Sequence, residues 1–306
     1  MTSRLQGILI LSVFGLILAS CAGSGVSATV NGVEITDDYV MGLTTDFQDS
    51  SAVDAEQYRD LLTNSIVTAA MVTAAEEDFG LGDLSSSEST DAYLTGASQE
   101  DIALIGRVAS QSGLTADAVD LVTVQLNVRQ AVKEAVVSDP EFLEGVWQND
   151  QNSLALTCAR HLLVATEDEA NLARARVEAG EDFSAVVSEI SLDTQSPGGA
   201  LPCPSRPGDF VEPFSSVVAT APVGELAGPF ETQFGWHIVL VDSRESPQSL
   251  DELSQDPLRW IPPAIVDATW VGWINDALED ADIEVRSQIG TWYPPVDGII
   301  PPPPSP

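Results

Sequence analysis

Histidine occurs only twice in the 306 residues, at His161 and His237. Imidazole changes its proton most readily near neutral pH, so these two positions are the first candidates for chemistry. Cysteine occurs three times, at Cys21, Cys158 and Cys203. A closed zinc site wants four nitrogen or sulfur ligands, and the chain has too few at matching spacing. No metal and no cofactor is expected. In an exported chain the two cysteines away from the N-terminus suggest a disulfide. Two buried free thiols are the alternative, since free cysteine packs as a small hydrophobe.

The charge balance excludes some partners. Forty-seven acidic residues face twelve basic ones, a formal net charge of −35, and Lys133 is the only lysine. Phosphate backbones are gripped by clustered Lys and Arg, so nucleic acid is not expected as a partner. A polybasic hold on anionic lipid is excluded for the same reason. The acid excess reads as a solubilising surface.

The N-terminus reads as a targeting segment. Arg4 precedes an apolar run, Ile8 to Ala19, of the length found in signal peptides and too short to span a bilayer comfortably. It ends in Leu18-Ala19-Ser20-Cys21, which resembles a bacterial lipobox. That resemblance implies diacylglycerol on Cys21, cleavage before it, and an extracytoplasmic chain anchored to the cell membrane. Residues 22–27 are small and polar, a tether.

The elements that must position the candidates follow from periodicity. Ala28 to Thr36 (ATVNGVEIT) reads as strand, Asn-Gly turn, strand. Residues 54–79 carry helical spacing and stop at Gly80. Residues 81–98 read as a loop, and helices are expected at 99–111, 115–137 and 140–148. Residues 154–164 switch to a strand, and Thr166 to Glu169 is a capping box opening a helix to about Ala179. A second helix runs from Asp182 to about Ile190. A loop rich in Gly and Pro covers 193–209, and a third helix covers 211–220. Strands follow at 226–231 and 236–242 around Phe234-Gly235. After a linker, a helix is expected at 263–280 and a strand from Ile283 to Ile289. The chain closes on a Pro-rich segment expected to be extended.

Six motifs in this stretch resemble the parvulin family of peptidyl-prolyl isomerases. They are Ala159-Arg160-His161-Leu162-Leu163-Val164; Ala179-Gly180-Glu181-Asp182-Phe183 with Ser191-Leu192-Asp193; Gly198-Gly199-Ala200-Leu201; Phe210-Val211-Glu212-Pro213-Phe214; Val223-Gly224-Glu225-Leu226-Ala227-Gly228-Pro229; and Thr232-Gln233-Phe234-Gly235-Trp236-His237-Ile238-Val239. The resemblance implies that His161, Asp193, Thr232 and His237 form the polar catalytic set, without a metal. It implies that Leu201, Phe210 and Phe214 form an apolar shelf under the proline ring, flanked by Phe234 and Trp236. It places Cys158 and Cys203 so that a disulfide would pin the 201–209 loop beside His161. The sequence departs from the family at Ala200, Pro202 and Phe210. The family's phosphate-binding basic loop is here Thr166-Glu167-Asp168-Glu169, which speaks against phospho-directed specificity.

The chemistry implied is rotation about Xaa-Pro bonds. Partial double-bond character sets a barrier of roughly 18–20 kcal/mol, and uncatalysed exchange is slow enough to limit folding. A catalyst must grip the ring and favour the twisted imide.

The expected architecture is α+β: a helical, chaperone-like N-terminal domain completed by the C-terminal helix, plus a parvulin domain with a small antiparallel sheet flanked by helices. Its divisions are a lipoprotein signal peptide at 1–20, tether at 21–27, helical domain at 28–150, parvulin domain at 154–245, helix and strand packing back on the N-terminal domain at 246–290, and Pro-rich tail at 291–306. The expected partners are unfolded or nascent exported polypeptides with Xaa-Pro bonds, and the membrane through the lipid. The oligomeric state is left open. The alternative is a holdase that binds unfolded chains with little or no isomerase activity.

Overall fold

A computed structural model of the chain describes residues 25–45, 54–111, 113–293 and 298–300. The leader at 1–20, the lipidation candidate Cys21 and the final residues 301–306 lie outside them. The chain divides into two compact units. One runs to Ala135 and resumes at Asp267; the other is Val136–Val266. The expected boundaries at 150 and 246 thus fall within the second unit.

In the first unit, β1 (Val26–Val30) and β2 (Val33–Thr36) form a hairpin. Asn31 and Gly32 turn it with φ of 49° and 82°, the left-handed pair that a two-residue hairpin loop demands. α1 (Asp37–Gly42) follows. α2 (Ala55–Phe79) starts at Asp54, whose carboxylate caps two backbone N–H groups, and ends at Gly80 in the left-handed region. α3 (Ser87–Gly96), capped by Ser86, lies where a loop was expected. Its polar composition, rich in Ser, Thr and Asp, hides it from a hydrophobic-period test. α4 (Gln99–Ala109) and α5 (Ala116–Ser138) complete the helical run.

The first unit's core joins both ends of the chain. Leu62 and Ile66 of α2 are fully buried against Val30, Val40, Leu278, Ile289 and Ile299. Each such side chain removes enough apolar area from water for about 1.5–3 kcal/mol. β6 (Ile283–Val285) pairs antiparallel with β1, so the sheet order is β2-β1-β6. Residues expected to be tail instead contain β7 (Thr291–Tyr293) and β8 (Gly298–Ile300), paired antiparallel.

The second unit begins with α6 (Pro140–Asn149), capped by Asp139. β3 (Leu156–Val164) leads to α7 (Glu167–Glu178), where Thr166 and Glu169 form the expected reciprocal capping box. α8 (Phe183–Ile190) is capped by Asp182, and α9 (Phe214–Thr220) follows the long loop. β4 (Leu226–Thr232) and β5 (Gly235–Glu245) form a hairpin. The sheet order is β3-β5-β4, antiparallel throughout. The expected linker after 246 contains α10 (Leu250–Gln255) and α11 (Pro257–Trp260); their Leu253 and Trp260, with Ile261 just after α11, are buried with Leu143 and Val146 of α6. α12 (Pro263–Asp280) is the last helix.

The two faces of the β3-β5-β4 sheet differ. Leu162, Val164 and Ile238 pack with Ala170, Ala173, Phe183, Val186 and Val187 of α7 and α8. Ala159, Val239 and Val241 face the other way, toward Phe214 and Val218 of α9. Period-two alternation sends His161 and His237 to that second face.

Candidate active site

Strand register brings the two histidines together. Val239 of β5 stands opposite His161, and His237 stands opposite Leu163. The imidazoles are therefore diagonal neighbours on one face, close enough for their rings to meet. Their centroids are 5.6 Å apart at 18° between planes. His161 is 6% exposed and His237 4%.

Two glycines make this placement possible. Gly199 has φ of 81°, and a Cβ there would lie 2.3 Å from the carbonyl oxygen of His161. Gly228 has φ of 107°, and its Cβ would lie 2.6 Å from the carbonyl oxygen of His237. The loop after α8 and strand β4 can press against the two histidine backbones only because both positions lack a side chain.

A continuous hydrogen-bonded chain links the candidates. His161 Nε2 is 2.7 Å from Asp193 Oδ2. His161 Nδ1 is 3.4 Å from His237 Nδ1. His237 Nε2 is 2.8 Å from Thr232 Oγ1, which also accepts the Phe234 N–H at 3.1 Å. Asp193 Oδ2 accepts the Ser196 hydroxyl at 2.6 Å, and Oδ1 accepts the Gln195 N–H at 2.9 Å.

The protonation states follow from these partners. The Ser196 hydroxyl, with further help from His161 and the Gln195 N–H, holds the Asp193 carboxyl down at about 2. Burial, reinforced by the neighbouring His161, pushes His237 down to about 4. Near neutral pH Asp193 is thus an anion and His237 is neutral. An ionised carboxylate only accepts, so His161 Nε2 carries a hydrogen. His161 Nδ1 and His237 Nδ1 share one contact with a single hydrogen between them. A neutral His237 carries one ring hydrogen, so it donates to one of His161 and Thr232 and accepts from the other.

Aromatic rings close over this chain. Phe214, 4% exposed, meets His161 and His237 edge-on at 5.5 and 5.1 Å. Phe210 lies 5.2 Å from Phe214, and Leu201 packs on the same cluster. Leu201, Phe210 and Phe214 are therefore brought to the face that carries His161, Asp193, Thr232 and His237. Phe234 lies at the hairpin tip, 60% exposed, and meets the chain through its backbone N–H to Thr232. Trp236 does not flank this pocket. One residue from His237 on a strand, it points to the opposite face and packs beside Ile238 and Leu162.

Cys158 and Cys203 are disulfide-bonded with Cα atoms 4.8 Å apart. The bond ties the loop carrying Leu201 to β3, three residues before His161. Backbone pairing of Thr157 with Ser205 and of Arg160 with Ala200 holds the same loop from either side. Among the described residues no group of three His, Cys, Asp or Glu is arranged to hold a metal ion.

The sequence reading missed two residues. Phe230 stands directly opposite His237 in the β4–β5 register and stacks on it at 5.5 Å and 19°. Counting back from the turn pair Thr232 and Gly235 would have found it. Ser196, in a loop without period, carries no such signal.

Comparison with known proteins agrees with this geometry. Residues 161–243 match the rotamase family, described as the PPIC-type PPIASE domain. A "Foldase protein PrsA" of Geobacillus kaustophilus is 29% identical over 53% of this chain and 57% of its own length. A "Foldase protein PrsA" of Halalkalibacterium halodurans is 24% identical over 83% of this chain and 76% of its own. The match thus reaches little more than half of the first relative. A crystal structure of a peptidylprolyl isomerase (PrsA) from Bacillus cereus overlays with a TM-score of 0.43 and 18% identity, covering 85% of this chain and 93% of that one. The second unit of this chain therefore carries a parvulin-type, PpiC-family peptidyl-prolyl isomerase domain.

Proposed function

We propose that the chain is a foldase acting outside the cytoplasm, held at the membrane by a lipid on Cys21, that speeds cis-trans exchange of Xaa-Pro bonds in unfolded exported proteins. The observation that carries this reading is the Asp193–His161–His237–Thr232 chain lying beneath Phe214 and Phe210. The shelf of Leu201, Phe210 and Phe214 takes the proline ring. Burial there excludes water from the imide, whose planar form water stabilises by hydrogen bonding to its carbonyl. The hydrogen-bonded chain fixes the polar groups beside the twisting bond before substrate arrives, so little reorganisation is needed at the barrier top.

The relatives' printed names, foldase in both cases, support the client class. The lipobox-like Leu18-Ala19-Ser20-Cys21 supports the anchor. Helices of the first unit supply the chaperone-like surface in this reading.

Exchange NMR of Xaa-Pro peptides with the full chain tests the activity. Faster cis-trans exchange, lost in the double variant His161→Ala, Asp193→Ala, is the expected result. No acceleration, or equal acceleration by the double variant, refutes it and leaves the holdase reading. For the anchor, the mass of the N-terminal peptide from membranes should carry a diacylglyceryl group that Cys21→Ser abolishes; an unmodified Cys21 thiol would rule the lipid out.

A further inference from the structure

We infer that the groove between α7 and the end of α8 is a second client subsite: it takes a large apolar side chain about three residues along the client from the proline whose bond is turned. The inference rests on the isomerase reading for the client, and on geometry alone for the groove.

After α8 the backbone runs along the free edge of β3, the outer strand of the β3-β5-β4 sheet. The Leu192 N–H donates to the Leu163 carbonyl at 2.8 Å, Arg160 pairs with Ala200, and the Leu201 N–H donates to the Ala159 carbonyl at 3.1 Å. Asp193 turns to His161, while its neighbour Leu192 lines a groove of about 430 Å³ on the α7 and α8 side. Buried Val164 and Ala173 form its floor beside Ile190, and Leu172 and Leu192, 68% and 58% exposed, form its lips. Two charged residues also line it, and both are already engaged. Glu169 Oε2 accepts the N–H groups of Ala165 and Thr166, and Arg176 binds Glu181 and Glu189. What the groove offers a partner is therefore apolar surface.

The groove is continuous with the catalytic chain. Leu192 directly precedes Asp193 at one end of it. At the other end Phe234 meets Thr232 through its N–H, and the hairpin tip that carries it packs on Val164: a Cβ on Gly235 would lie 2.5 Å from the Val164 carbonyl oxygen. Exposed apolar residues scattered singly need no explanation, but Leu172, Leu192 and Phe234 gather around the end of one strand. From His161 to Val164 a strand rises about 10 Å, a span that an extended client covers in about three residues. A client whose proline ring lies on Leu201, Phe210 and Phe214 thus passes the end of β3 and lays a side chain between Leu172 and Leu192. Leu, Ile, Met or Phe fits there. Unfolded chains expose such side chains and folded ones bury them, so the contact selects clients that still need folding.

The test is exchange NMR with the full chain on Xaa-Pro peptides: one with only Ala around the Xaa-Pro pair, one with Leu three residues before the proline, and one with Leu three residues after it. One of the two Leu peptides should show a KM about ten-fold lower than the Ala peptide with kcat unchanged, as expected when a leucine is buried equally in the ground and transition states. Leu172→Glu, at an exposed position of α7, should erase that advantage and leave exchange of the Ala peptide unchanged. If the parent accelerates the Ala peptide but favours neither Leu peptide, the subsite is overturned and the isomerase reading stands. A Leu advantage that survives Leu172→Glu overturns it too. If no peptide is accelerated, the isomerase reading fails, and the methyl shifts of Leu172 and Leu192 decide: no shift with either Leu peptide, or an equal shift with the Ala peptide, overturns the subsite. A dimer in sedimentation that Leu172→Glu disperses would seat a second copy in the groove and overturn it as well.

Discussion

Asp37 and Asp193 sit in different units, yet both are carboxyls held near 2 in hydrogen-bonded networks. Their partners differ. Asp37 receives both guanidinium nitrogens of Arg286, at 2.6 and 2.7 Å, along with the hydroxyls of Ser27 and Tyr58 at 2.7 and 2.5 Å. The guanidinium is a permanent cation, so that network has one protonation state at any ordinary pH. It ties α1, with β1 and α2, to the segment just after β6. Asp193 faces the His161 imidazole and the Ser196 hydroxyl instead, groups that can exchange donor and acceptor roles. An arginine-clamped carboxylate is a structural rivet; a histidine-clamped one keeps the freedom that a reacting site uses.

That contrast can be broken by experiment. Asp193→Ala should lower kcat/KM on the order of 100-fold, as removal of an oriented polar group in a buried site does, while the thermal midpoint of the second unit changes little. Arg286→Ala should do the reverse. It should destabilise the first unit by about 2 kcal/mol, below the cost of a fully buried pair because both partners are partly exposed, and leave isomerase rate within two-fold. Equal effects of both changes on rate would erase the distinction.

Acid should separate the units too. His237 is held down to about 4 from its ordinary 6.5, chiefly by burial. Below about 6.5 the unfolded chain binds a proton there that the folded chain refuses, so stability falls as pH drops from 6.5 toward 4. The loss should reach about 2 kcal/mol by pH 5. Asp37 and Asp193 act lower, their contributions being lost only as pH falls from 3.8 toward 2. Calorimetry at pH 7 and 5 should therefore show the second unit's transition moving more than the first's. Smallest of all, Tyr58→Phe should cost about 0.5–1 kcal/mol of first-unit stability, because Asp37 keeps its arginine after losing one hydroxyl.

Local signals explain why much of the second unit was legible in sequence. Thr166 with Glu169, Asp182 and the Thr232–Gly235 turn each announce an element within four residues. The polar chain was legible because His161 and His237 are the only histidines and sit in recognisable motifs. Trp236 was placed wrongly by motif proximity, although alternation from His237 turns it to the other face. Arg286 and Asp37 are 249 positions apart, and nothing in one sequence pairs residues across such a distance. Ser196 is fixed by a side-chain contact inside an irregular loop, which no period or cap marks. β7 and β8 are three residues each, too short to show alternation.

The glycines at 199 and 228 carry a last consequence for tolerance to change. Neither presents a side chain to a proline ring, yet each occupies space that any other residue would take from a histidine carbonyl. A library varying every position of the second unit would find these two as depleted as the histidines themselves. The inventory of residues that selection guards around the site is thus wider than the inventory that touches a client. An engineer who moves either histidine must move the glycine behind it as well.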